Sequence, residues 1–206
     1  MYAQLLIAFS FAIASYQDMK DRAVSDLVWI PAVIGAGYVV YSFFTLQTMQ
    51  SLEFLIIKIV LIGGIMLGFT FFGYIGQADA IALVFVASDP YPLSPLPALL
   101  AGGGVALSHI GYEYAVGNIR DGRKIPMEQF LREQRWIPKA VIADGVRTEV
   151  SSDVNVAREE VEAKKLQDAS VEVSYGVPTV AYYGIGYVFY LVYLVWSNLP
   201  AFLSLP

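Results

Sequence analysis

Two carboxylates have the type and setting to do chemistry together. Asp79 is the one charged residue in "FFGYIGQADAIALVFVAS", residues 71–88. Asp18 lies in "SYQDMKDRAVSD", residues 15–26. Carboxylates that meet can share a proton. One then acts as general base on a water, and the other as general acid on a scissile carbonyl or leaving amine. That chemistry needs no metal, cysteine or histidine, and the chain has no cysteine and a single histidine. A structural role is open at the same positions. Asp79 suits the start of a helix, where a carboxylate can serve as N-cap, and Asp26 suits the start of the next apolar run in the same way. Asp18, Asp21 and Asp26 also read as interfacial charges. Gly73 and Gly76 fit a place where a helix breaks and backbone approaches backbone closely.

The elements that must position these groups are apolar. Of 206 residues, 57% are hydrophobic and only 15% charged, too few charges to cover a soluble domain of this size. The fold class expected is an all-α polytopic membrane protein with six transmembrane helices, at about 2–17, 27–46, 53–75, 79–89, 96–117 and 178–203. The N-terminal run lacks a basic flank and an A-x-A site, so it reads as the first span, not as a cleaved peptide. Three regions follow: 1–117 with five spans and both aspartates, a polar insert at 118–176, and a last span at 177–206. The insert reads as a small α+β domain. Asp144-Gly145 between "WIPKAVIA" and "VRTEV" is a hairpin signal, "DVNVAREEVEAKKLQDA" is built of helix formers, and "SVEVSY" alternates like a strand. A net charge of −5, with no basic stripe, argues against a nucleic-acid partner.

Basic residues set the orientation. Lys20 and Arg22 lie in the first loop, ten of the thirteen Lys and Arg lie in the insert, and the second and fourth loops have none. The positive-inside rule then places loops one, three and five in the cytoplasm and both termini outside. Lys58, near the start of the third span, reads as able to snorkel outward. Asp18 and Asp79 come to one membrane face. Span four has about ten apolar residues after Asp79, roughly 15 Å of helix and about half the hydrocarbon core. That puts Asp79 within the bilayer, where carboxylates default to a functional reading.

At these residues the sequence resembles a known family. "GQAD" at 76–79 looks like the GxGD motif of membrane aspartyl proteases. "DMKDRAVSD" at 18–26 looks like the first-loop motif of type IV prepilin peptidases, and "YGVPTVAYYGIGY" at 175–187 resembles the opening of their last span. The nearest resemblance is to the archaeal preflagellin peptidase branch. It covers all six spans, is weakest in the insert, and departs from the motif at Ala78, which stands in place of the second glycine. The resemblance implies an aspartic endopeptidase of the cell membrane with Asp18 and Asp79 as catalytic pair. Its partner would be a preflagellin or prepilin-like precursor, whose short basic leader is cut off at or just below the cytoplasmic face, typically after glycine. No cofactor and no metal are expected, since the four-cysteine zinc loop of some bacterial relatives has no counterpart here. Asp21 and Asp26, close in sequence to Asp18, are expected to attract the leader's Lys or Arg.

Other signals weigh less. His109 and Glu113 share a helix face at i, i+4, and two groups make no metal site. "GGG" at 102–104 lacks the Lys and Ser/Thr of a phosphate loop and reads as close helix packing. The competing function class is a proton- or cation-coupled transporter with Asp18 and Asp79 as ion sites.

Overall fold

The structure, a computed structural model, describes residues 2–46, 49–72, 75–89, 95–120, 122–151, 154–164 and 169–203. The chain divides into two compact units. One comprises Met1–Asp18, Val24–Ala106 and Thr179–Pro206, the other Met19–Ala23 and Leu107–Pro178.

The expected apolar segments all form helices: α1 (Tyr2–Asp21), α2 (Ile30–Leu46), α3 (Met49–Phe71), α4 (Gln77–Ala87), α5 (Pro95–Ala115) and α8 (Thr179–Leu203). A single 3-10 turn, Asp26–Trp29, leads into α2. Pro31 falls in the first turn of α2 and Pro95 opens α5, positions where the missing N–H costs no helical bond.

Among the described residues, three helical stretches are long and apolar enough to cross a membrane: Asp26–Thr45, Leu52–Phe71 and Thr179–Ser197. This is fewer than the six expected. The α4 helix is apolar but has only 11 residues. In α1 the apolar run is diluted by Gln4, Ser10, Ser15, Gln17 and Asp18, and in α5 by four glycines, Ser108, His109 and Glu113. The α3 helix turns Phe54, Ile57, Leu61, Leu67 and Phe71 outward, an apolar surface that suits lipid and not water.

The helical unit closes around aromatic rings. Phe11 of α1 stacks on Tyr187 of α8 at 5.3 Å and meets Trp29 edge-on at 5.6 Å, while Trp29 stacks on Phe85 of α4 at 5.5 Å. Ile7, Ala14, Ala32, Ala82, Val86 and Ala98 fill the space around them. Glycines fix the closest crossings. A Cβ on Gly102 would meet the Tyr182 carbonyl, one on Gly186 the Ala98 carbonyl, and one on Gly184 the Ser15 hydroxyl. Of the triple glycine only Gly102 is so pressed; Gly103 and Gly104 face open space.

The second unit carries an antiparallel sheet in the order β1-β4-β2-β3: Arg123–Pro126, Ser170–Tyr175, Trp136–Ala143 and Val146–Glu149. Asp144 (φ 51) and Gly145 (φ 78) form the β2–β3 turn, both left-handed as a two-residue hairpin needs. Alternation in β4 sends Val171 and Val173 inward, against Trp136, Val141 and Ile125, with Phe130 from α6 (Met127–Arg132) and Val161 from α7 (Val154–Lys164). Glu113, the buried acid at the end of α5, is bonded by His109 at 3.2 Å and Asn118 at 2.5 Å. That is a polar tie, as the i, i+4 spacing suggests.

Candidate active site at Asp18 and Asp79

Asp18 sits in the last turn of α1 and is only 7% exposed. A buried carboxylate needs donors. One comes from far along the chain: the Ala181 N–H donates to Asp18 Oδ2 at 3.1 Å. Ala181 lies in the first turn of α8, where backbone N–H groups have no intrahelical acceptor and the helix dipole favours negative charge. The sequence allows this approach in two ways. Pro178 stops regular structure just before the helix begins, and Gly184, one turn further on, lets α8 press against Ser15 of α1.

Asp79 is the third residue of α4 and half-buried. Its Oδ2 accepts the Gly76 N–H at 3.3 Å. It is therefore a capping carboxylate that reaches back from inside the first turn, rather than the N-cap itself. Gly76 is in ordinary extended backbone (φ −70, ψ 155), so no left-handed conformation calls for glycine here. The requirement is space: a Cβ at Gly76 would stand 3.2 Å from Asp79 Oδ2. The expectation that Gly76 serves backbone-to-backbone approach is thus corrected, because what approaches it is the carboxylate. Gly73 lies outside the described residues. Ala78 is helical and packs against the core around Phe11 and Phe85. Nothing at that position demands the positive φ that glycine alone adopts freely.

Asp18 and Asp79 come from different helices of one unit, and the Asp18 charge acts on Asp79 through space. Tyr183 of α8, two residues beyond the Asp18 donor, also lies within electrostatic reach of Asp79. Sequence reasoning passed over Tyr183. Its only signal is the tyrosine pair at 182–183, which the apolar composition of the span hides.

The two other acids are placed differently. Asp21 ends α1, is exposed, and lies within electrostatic reach of Arg158 on α7, so its basic neighbour belongs to the chain itself. Asp26 is exposed and begins the 3-10 turn, whose N-cap is Ser25; the Ser25 side chain makes no capping bond. The Asp26 N-cap reading is therefore displaced by one residue. Lys58 does not snorkel: its Nζ donates to the Asp89 carbonyl at 2.6 Å.

No protein-family model, curated protein or solved structure matches the chain.

Proposed function

We propose that the chain is a membrane-embedded aspartic endopeptidase of the prepilin and preflagellin peptidase type. It would remove short basic leaders at the cytoplasmic face. In this reading α1, α4 and α5 join the three long apolar helices as spans, and both termini face outside. The observation that carries the proposal is the pairing of Asp18 and Asp79. Sequence-distant carboxylates from two helices lie near enough to feel each other's charge, each at the positive end of a helix.

In the proposed reaction the ionised carboxylate takes a proton from a water. The water oxygen bonds to the scissile carbonyl carbon while the protonated partner gives its proton to the carbonyl oxygen. Collapse of the tetrahedral gem-diol breaks the C–N bond: the carboxyl that gained the water's proton delivers it to the leaving amine, and the partner carboxylate takes a hydroxyl proton back as the C=O re-forms, which restores the pair. The reaction needs one proton shared between the two carboxyl groups, so that one can act as base and the other as acid. Asp26 and Asp21 are both exposed and would meet a basic leader, with Arg158 a competing positive charge near Asp21.

A transporter would place its ion sites near mid-membrane. Here both acids sit at helix ends, Asp18 in the last turn of α1 and Asp79 in the first turn of α4. The deciding experiment is cleavage of a short-leader pilin-like precursor by the purified chain. Asp18→Asn and Asp79→Asn should each abolish leader removal in a folded protein. Retained cleavage by either variant rejects the pair, and ion flux in vesicles without cleavage selects the transporter.

A further inference from the structure

At the end of α4 opposite Asp79 lies a second buried polar group. Asp89, just past the helix, is fully buried. Its Oδ2 accepts Gln4 Nε2 of α1 at 3.0 Å, and its Oδ1 accepts the Tyr190 hydroxyl of α8 at 3.0 Å. Its main-chain oxygen accepts Lys58 Nζ of α3 at 2.6 Å. Three helices thus hold one residue. The Lys58 ammonium also answers the negative C-terminal end of α4, as Asp79 answers its positive end.

A short helix needs such an anchor. With 11 residues α4 covers about 16 Å, about half of a hydrocarbon core. Its packed face is mostly small: Ala80, Ala82, Val86 and Ala87, with Phe85 the one large side chain. Such a face offers little to stop the helix sliding along its axis, since dispersion contacts are weak one by one and carry no direction. Hydrogen bonds to buried charged groups are directional, and costly to leave unmade.

The same helices meet at both ends of α4. On α1, Gln4 and Asp18 are about 21 Å apart along the axis, and on α8, Ala181 and Tyr190 are about 13 Å apart; Asp79 lies in the first turn of α4 and Asp89 just past its last. We propose that Asp89, with Lys58, Gln4 and Tyr190, forms a positioning clamp that fixes the height and rotation of α4 and so sets where Asp79 meets Asp18. These are positioning residues, and the role rests on reading Asp18 and Asp79 as the reacting pair.

The chain has no cysteine, so Asp18→Cys with Asp79→Cys in the full-length protein in nanodiscs gives a disulfide that reports directly on the approach of the two positions. The expected result is formation in the parent, slowed at least about tenfold by Asp89→Asn and about threefold by Tyr190→Phe, in the range expected for loss of buried hydrogen bonds. Tyr190→Phe keeps the ring and its packing, so it stays informative where Asp89→Asn fails to fold. With the aspartates restored, Tyr190→Phe should lower kcat on a short-leader precursor about tenfold and leave KM unchanged, because misplaced reacting groups cost turnover and not substrate affinity. No disulfide in the parent, or an unchanged rate in the folded variants, overturns the clamp. The crosslink needs no cleavage, so a chain that cuts no precursor defeats the peptidase reading and still leaves the clamp to be judged.

Discussion

The Ala181 N–H and the Asp18 carboxylate meet at 3.1 Å across 163 positions of sequence. Asp18 is therefore a cap on α8 as well as a candidate acid–base group, and substitution separates the two roles. Asp18→Asn keeps an acceptor oxygen and should leave thermal stability within about 0.5 kcal/mol, whereas Asp18→Ala should cost about 1–2 kcal/mol, the usual loss of a helix cap. Both should lose cleavage. Thermal unfolding in detergent beside a precursor assay checks this. If Asp18→Asn unfolds as early as Asp18→Ala, the Ala181 bond does not carry the stability.

Gly76 and Ala78 should respond in opposite senses. Gly76→Ala is compatible with the extended backbone and should raise stability by about 0.4–1 kcal/mol through the unfolded state. Its Cβ, 3.2 Å from Asp79 Oδ2, should displace the carboxylate and lower turnover about tenfold. Ala78→Gly should cost about 0.5–1 kcal/mol of helix stability with turnover retained. Full turnover by Gly76→Ala would show that Asp79 tolerates the intrusion.

The sheet-bearing unit should weaken in acid. Burial disfavours ionised Glu133, yet hydrogen bonds from Arg135, Gln129 and Trp136, with the Arg135 charge, outweigh burial and hold its carboxyl below the usual range. A depressed carboxyl stabilises the fold above its ordinary titration range, and that contribution is lost as pH falls through the folded-state value. Glu133→Gln should therefore unfold earlier than the parent at neutral pH, and the gap should close below the carboxylate range. Fluorescence of Trp136, with Trp29 and Trp196 replaced by Phe, reads the transition. A gap independent of pH would assign the loss to packing.

Orientation is testable with the same cysteine-free background. Cysteine at Ser51 should react with an impermeant reagent from outside the cell. Cysteine at Ser151 should react only after permeabilisation, as the charge alternation of the loops demands. The reverse pattern inverts the chain and removes the Asp18–Asp79 pair from the cytoplasmic side.

Local signals in the sequence carried much of the fold. Asp144-Gly145 marks its hairpin because both positions need φ above zero, and "SVEVSY" marks β4 because alternation separates Val171 and Val173 from their polar neighbours. The helices of the apolar segments are legible too, but membrane-spanning length is not equally so, since the polar residues of α1 and α5 and the shortness of α4 take them below that standard. What stayed hidden depends on distant partners. Asp18 gives no local hint of Ala181. Asp89 stands beside Pro90 and reads as a loop breaker, while its partners lie on three other helices. Gly76 suggests backbone freedom, whereas its absent side chain makes room for a carboxylate.

The cap on α8 bears on how the protein is made. Asp18 emerges from the ribosome early, and its backbone donor follows 163 residues later. During that interval a carboxylate destined for burial lacks this donor, and a buried charge short of hydrogen bonds is expensive in a low-dielectric setting. At an elongation rate of about 5–20 residues per second the wait lasts roughly ten to thirty seconds. The nascent chain therefore passes a long stretch of synthesis before the Ala181 N–H can reach Asp18, and the docking of α8 against α1 completes that bond.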